Sequence, residues 1–256
     1  MKCTIEFKNV VATFKLSQKI PCFYSLENGE NNPRCFYLPY PSFEPFRIGN
    51  FVGSVAEGGA ANCMIVTVAP HGSGTHTECI GHIADGDYSV SASLQQSMFL
   101  GYFASVGIEP FENDLVVSHT DVENLLSNLT TDSTSLLLQI NGEYNKDNSG
   151  TNPPYILAST MDLIVKSGIE HLIINTPSVD KEEDGGDLES HHIFWNYKQN
   201  GNPRLNATIT ELANFPKDLE AGSYIVEIQI APIHSDASPS RIFLYPIEDL
   251  ATTASK

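Results

Sequence analysis

The chain has 256 residues, 41% of them hydrophobic, and a formal net charge of −17. That length allows one large domain or two small ones with a sizeable core. The acidic balance argues against nucleic-acid or anionic-membrane partners, both of which need a basic surface.

The opening residues, Met1-Lys-Cys-Thr-Ile-Glu-Phe7, lack the apolar core of a signal peptide. No apolar run approaches the roughly 20 residues that span a membrane, so the expected location is cytoplasmic. Residues 3–14 alternate and are β-branched, which predicts an edge strand or hairpin. Residues 15–50 are rich in Pro, Asn, Gly and aromatics, as in Cys35-Phe-Tyr-Leu-Pro-Tyr-Pro-Ser-Phe43. That composition suits an arm that packs on the domain or on a partner subunit, or aromatics that line an active-site mouth. Strands are predicted at 46–53 and 62–69. The second, Asn62-Cys-Met-Ile-Val-Thr-Val-Ala69, is apolar and β-branched and reads as buried.

A short helix is predicted within Ser91 to Tyr102, and a strand over Asp114 to Ser118. Thr120-Asp-Val-Glu123 has the capping-box form ahead of Leu125, Leu126 and Leu129, which predicts a helix. Residues 135–140 read as a buried strand, 141–154 as a loop, 159–167 as a helix stopped by Gly168, and 171–175 as an apolar strand. Strand, helix, strand over 135–175 fits an α/β unit. Residues 181–190 are acidic, hold Gly185-Gly186 and read as a surface loop. Later strands are predicted at 206–213, 222–231 and 241–246. No linker divides the chain, and no repeat at a solenoid period is present.

The chemistry concentrates in residues 70–82, Pro-His-Gly-Ser-Gly-Thr-His-Thr-Glu-Cys-Ile-Gly-His. Three of the eight histidines (His71, His76, His82), Glu78 and Cys79 fall within this stretch. Imidazole and carboxylate are the usual ligands of zinc and neighbouring first-row metals. Gly72 and Gly74 permit backbone angles that let a loop turn its side chains onto one point. In an extended segment His76 and Glu78 share a face. Further ligands are expected later in the chain. His191 and His192 follow the acidic loop. Glu211 sits in Thr208-Ile-Thr-Glu-Leu212, where alternation places it with Ile209 and Ala213; burial there is costly without a cation, and the alternative is a solvent-facing carboxylate. The five cysteines, odd in number and without Cys-x-x-Cys spacing, argue against a disulfide scaffold and a cysteine-based zinc site. Cys79 beside His76 or His82 could be read as a nucleophile, but a small buried thiol is the commoner role.

These residues resemble the Putative cyclase family, the metal-dependent hydrolases that include bacterial kynurenine formamidase. The family pattern is His-x-Gly-Thr-His-x-Asp-x-Pro-x-His. Gly74-Thr75-His76 and His82 match it in register. Glu78 stands where the family has Asp, and Ile80 where it has Pro. Gly72 holds the first His position, with His71 one residue earlier. Asn175-Thr-Pro-Ser-Val-Asp180 is similar to the family's Asp-x-Pro-Ser-x-Asp, and Asp236-Ala-Ser-Pro-Ser-Arg241 to its Gly-Ser-Pro-x-Arg.

The resemblance covers most of residues 50–246. It implies an α/β (α+β) fold, a compact β/β/α swivelling-type domain around a mixed sheet or small barrel. Residues 1–256 would form a single domain, with 1–50 an N-terminal arm and edge strands. By the resemblance His76, Glu78, His191 or His192 and Glu211 are metal ligands, with His71 a further candidate and His191 preferred over His192. His82 takes the general acid/base position. The cofactor implied is a divalent metal, Zn2+ ahead of Mn2+, one or two per chain. Such a metal lowers the pKa of its bound water from 15.7 toward about 7. The activity implied is cleavage of a carbon–nitrogen amide bond, a formamide or cyclic amide, in a small, aromatic or cyclic substrate. The alternative is a degenerate member that binds a small ligand or metal without turnover. The partners implied are a small-molecule substrate and further copies of the chain, as a homodimer or larger homo-oligomer.

Overall fold

The computed structural model describes residues 1–130, 132–199 and 201–253. The predicted hairpin at the start is strand β1 (Lys2–Glu6) paired antiparallel with β2 (Val10–Lys15). The strands that follow and carry the fold are β3 (His76–Glu78), β4 (Met98–Val106), β5 (Ser135–Ile140), β6 (His171–Ile174), β7 (Thr208–Glu211), β8 (Gly222–Ile230) and β9 (Ala237–Thr252). Their hydrogen-bonded order is β9–β8–β4–β5–β6–β7–β3, and β3 pairs back onto β9. Seven strands therefore close into a mixed barrel. Strands β4 to β7 run parallel, and the remaining pairings are antiparallel.

Burial explains why β5 reads as an unbroken apolar run. Alternate residues of a strand face opposite sides, and both sides of this one are covered. Leu137 joins Phe103, Ile173, Val226, Ile242 and Leu244 in a cluster that fills the barrel. Leu136 and Leu138 face the other way, onto Met161 and Ile164 of helix α3. The helices are α1 (Val90–Ser93), α2 (His119–Leu126), α3 (Ala158–Lys166) and α4 (Glu189–Phe194). Helix α3 ends as predicted, with Gly168 at φ +82° just beyond it, a backbone angle that favours glycine.

Several expectations need correction. Helix α2 is capped by Ser118, which accepts from the Asp121 N–H, two residues before the predicted cap. The helix expected within Ser91 to Tyr102 shrinks to α1, because Met98 onward is strand β4, paired on both sides. Helix α4 occupies the far side of the acidic loop, where the sequence predicts no helix. The strand expected to be buried at 62–69 is Met64–Thr67, and it is exposed throughout. Among the described residues it pairs only with Ser42–Pro45, in an arm off the barrel, so Met64, Ile65 and Val66 are left 46%, 52% and 56% exposed. The pair Arg47–Ile48 and Phe51–Val52 extends the same arm. Among the described residues no helix is long and apolar enough to cross a membrane.

Candidate metal centre

Strand β3 is the seam of the barrel, and it carries the centre. It pairs with β7 on one side, Ile209 opposite Glu78 and Glu211 opposite His76, and with β9 on the other, Ala237 opposite Glu78. Thr77 faces the opposite way and shares a hydroxyl hydrogen bond with Thr210 at 2.7 Å. The preceding Gly-Thr-His stretch is held by Thr75, whose hydroxyl donates to the Leu212 carbonyl at 2.6 Å and accepts from the Tyr24 N–H. Gly74 adopts φ +68°, and a Cβ there would meet Leu26 at 2.5 Å. Its carbonyl accepts the Nδ1–H of His76 at 3.1 Å, which fixes the tautomer and aims His76 Nε2 inward.

Around β3 the later half of the chain delivers its own side chains. Glu211 is buried, with Oε2 3.3 Å from His76 Nε2, while Oε1 accepts the Val179 N–H at 3.1 Å. His191, on α4, places Nε2 3.1 Å from Glu78 Oε1 and 3.9 Å from Glu211 Oε1. Its Nδ1–H donates to Asp180 at 2.6 Å. His71 places Nδ1 3.2 Å from Glu78 Oε2 and Nε2 2.8 Å from Asp236. His82 stacks on His71, ring centroids 4.3 Å apart. Its Nδ1 lies 3.6 Å from Asp236 and 3.9 Å from Glu78, beyond hydrogen-bond reach.

Of the ligands proposed from sequence, His71, His76, Glu78, His191 and Glu211 thus come together, with His82 at the rim. His192 does not join them. Its ring stacks on Tyr197 and its Nδ1 bonds the Tyr197 carbonyl at 3.1 Å, because the next residue of a helix points about 100° away from its neighbour. The sequence reading assigned no role to Asp180 and Asp236. Asp180 closes and Asp236 opens a segment quoted for the family resemblance, but only their distant partners, His191 and His71, give them a role. Cys79 is wholly buried and burial raises its pKa, as for an inert thiol.

The electrostatics are those of a centre that wants a cation. Burial by itself would raise the Glu78 pKa, but the charges of His82 and His191 outweigh it and hold the carboxylate well below its ordinary range. Burial by itself would lower the His191 pKa, but Glu78 and Asp180 raise it well above the usual value. His71 behaves likewise: its hydrogen bond to Asp236 and the neighbouring Glu78 carboxylate overcome burial and raise it to about 10.

Two buried atoms test whether a metal fits. His76 Nε2 and Glu78 Oε2 have no hydrogen-bond partner among the described residues, and a buried unpaired polar atom costs about 1–3 kcal/mol. Both face the cluster. His71, His76 and Glu78 offer ligand atoms within 4.8 Å of one another, as do Glu78, His82 and His191. Imidazole nitrogens and carboxylate oxygens in this number suit a first-row divalent ion.

A family model described as Putative cyclase matches residues 10–181. The chain belongs to the Putative cyclase family. Solved structures share the fold at low identity. One is described as a predicted metal-dependent hydrolase from Bacillus stearothermophilus, 13% identical, with a TM-score of 0.59 over 89% of this chain and 97% of that one. An isatin hydrolase bound to the product analogue thioisatinate is 13% identical, with a TM-score of 0.61 over 90% of this chain and 93% of that one. Isatin hydrolase A from Labrenzia aggregata, bound to benzyl benzoate, is 13% identical, with a TM-score of 0.59 over 90% and 94%. No curated protein matches the chain. As a Putative cyclase family member it keeps the Gly-Thr-His core of the motif and departs from it at positions 72, 78 and 80.

Proposed function

We propose that the chain is a metal-dependent hydrolase that cleaves a carbon–nitrogen amide bond in a small aromatic or cyclic substrate. The observation that carries this reading is the convergence of three imidazole nitrogens, His71 Nδ1, His76 Nε2 and His191 Nε2, on the carboxylates of Glu78 and Glu211. Those five residues would hold the metal, Zn2+ ahead of Mn2+. Glu78 has one oxygen toward His71 and the other toward His191, so it would contribute a ligand oxygen on either side of the cluster. A bound divalent ion supplies Lewis acidity toward a carbonyl and lowers the pKa of water toward neutrality.

The chain's own residues supply the rest. His82 lies at the partly exposed rim, its imidazole without a hydrogen-bond partner among the described residues and its Nδ1 facing Glu78. It is the group placed to accept a proton from the attacking water and return it to the leaving nitrogen. Asp180 and the Gly74 carbonyl orient the His191 and His76 rings, leaving Nε2 of each toward the cluster. Isatin is a cyclic amide fused to an aromatic ring, so the isatin hydrolases among the structural relatives support a lactam, whereas a formamide substrate rests on the motif resemblance alone.

Elemental analysis of the purified protein, followed by assay on N-formyl aromatic amines and cyclic aromatic amides, tests the reading. One or two equivalents of metal, lost in His76→Ala, with turnover of one of these classes, is the expected result. Metal without turnover on either class would favour a ligand-binding member over an enzyme. No metal after exchange against Zn2+ and Mn2+ would remove the hydrolase reading.

A further inference from the structure

We propose that Asp236 is a positioning residue that makes the displaced His71 a metal ligand, so that this chain rebuilds the first ligand of its motif from the neighbouring position. The inference rests on the metal-dependent reading above.

Position 72, where the motif has its first histidine, is closed in this chain. A Cβ on Gly72 would lie 2.4 Å from the Cβ of Leu38. Leu38 cannot withdraw easily, since its N–H donates to the Cys35 carbonyl and its carbonyl accepts from Arg34 Nε. The Cys35 N–H in turn donates to the Gly72 carbonyl. No side chain fits at 72, and the imidazole has to arrive from 71.

An imidazole arriving from a new position needs a new anchor. His71 sits on the one-turn 3-10 segment Pro70–Gly72 and is half-buried, so its ring could flip. Asp236 decides the orientation. Its Oδ1 is occupied by the Ser235 hydroxyl at 3.0 Å, which leaves Oδ2 for His71 Nε2 at 2.8 Å. With Nε2 held, Nδ1 faces Glu78 Oε2, which is buried and without a hydrogen-bond partner among the described residues. The backbone fixes the anchor as firmly as the ring. The Cys79 N–H donates to the Asp236 carbonyl at 2.9 Å, and the next residue, Ala237, stands opposite Glu78 in the β3–β9 ladder. Asp236 is therefore registered to the ligand strand itself.

The same construction occurs at the other two histidines. His76 is anchored by the Gly74 carbonyl and His191 by Asp180, each through Nδ1, leaving Nε2 for the cluster. His71 uses the opposite nitrogen, Nε2 to the anchor and Nδ1 to the cluster, as an imidazole reaching the centre from a shifted backbone position can require. An anchoring partner of this kind typically changes metal affinity about 10–100-fold.

The test is Zn2+ affinity and stoichiometry, measured by competition with a chromophoric chelator on the full chain. The proteins are the wild type, Asp236→Ala, Asp236→Asn, His71→Ala and the double variant Asp236→Ala/His71→Ala. We expect Asp236→Ala to weaken Zn2+ binding about 10–100-fold with the saturating stoichiometry unchanged. Asp236→Asn, whose amide oxygen can still accept the Nε2–H bond, recovers much of that loss. The double variant is no weaker than His71→Ala alone, since two residues acting through one interaction are not additive. Three results overturn the proposal. Asp236→Ala could bind Zn2+ as the wild type does. Its effect could persist undiminished in the His71→Ala background. Its saturating stoichiometry could fall, which would make Asp236 a direct ligand. A wild type that binds no Zn2+ instead overturns the metal-dependent reading itself.

Discussion

His191 donates its Nδ1–H to Asp180 across 2.6 Å, and the same carboxylate accepts the backbone N–H groups of Ser190 and His191. One aspartate thus caps the first turn of helix α4 and aims the imidazole that the helix carries. Asp180→Ala should do two separable things. Loss of the cap and of the buried hydrogen bonds should cost about 1–3 kcal/mol of stability, read by denaturant unfolding of the metal-free protein. Metal affinity should fall about 10–100-fold, read by chelator competition. Loss of stability with unchanged affinity would reduce Asp180 to a helix cap.

His82→Ala should lower kcat by about 10^2–10^4-fold while metal content stays as in the wild type. The contrast with His76→Ala, which should lose the metal, separates proton transfer from ligation. If His82→Ala also arrives empty of metal, His82 is a ligand, as its closeness to Glu78 and His191 permits.

The closed space at Gly72 gives a prediction of its own. Gly72→Ala should destabilise the fold by about 1–3 kcal/mol through overpacking against Leu38. The double exchange His71→Gly/Gly72→His, which restores the family register on paper, should bind metal less tightly than the wild type. Wild-type affinity in that variant would show that Leu38 moves aside.

The raised His71 pKa makes the metal-free protein sensitive to alkali. The folded state holds a proton on His71 up to about pH 10, whereas an unfolded histidine loses it near about 6.5. The folded form therefore binds more protons across that interval, and the stability from this pair, full below about pH 6.5, declines as pH rises to about 10. Thermal unfolding of the metal-free protein should show Tm falling over this range, and His71→Ala should flatten the slope. An unchanged slope in the variant would place the effect elsewhere.

The exposed arm carries a prediction about assembly. Exposed apolar patches mark interaction surfaces, and an isolated two-stranded hairpin is marginal in water. Residues 36–69 hold only Glu44, Arg47 and Glu57 as charged groups, in a chain of net charge −17. Two acidic copies would repel least across that near-neutral surface, so a homodimer or larger assembly is expected. Sedimentation should find it in the wild type, and Ile65→Lys/Val66→Lys should dissociate it. A wild type that stays monomeric at every concentration would exclude the arm as a self-association surface.

Local features of the site were readable from the chain; its distant supports were not. Gly74-Thr75-His76 announces itself, because a positive φ, a hydroxyl anchor and an inward imidazole are all local requirements. Glu211 is buried as expected, but every residue of its strand is buried and Leu212 breaks the alternation at φ 52°, so the pattern did not decide it. Strand β5 and helix α3 were legible because period and stop signals lie within a few residues. The roles of Asp236 and Asp180 depend on partners 165 and 11 residues away, which no local pattern encodes. Helix α4 is too short to show a period and starts from Leu188 in a left-handed conformation, φ 44°. The strand Met64–Thr67 misled because apolar β-branched composition reports a need for cover, and the barrel is not what provides it.

The position of β3 also fixes when a cation can first be captured. His76–Glu78 finds its neighbours in residues 208–211 and 237–239, so no centre exists while the chain is still being synthesised short of those segments. An emerging peptide with the Gly-Thr-His stretch exposed has loose imidazoles and one carboxylate, which would take up first-row divalent ions in order of raw affinity. Contacts of such long sequence separation form late in folding. If the chain is metal-dependent as proposed, the ion would be selected by the finished barrel, through the spacing of its fixed ligands. An apoprotein folded in the absence of metal and loaded afterwards should acquire the same ion as one folded in its presence.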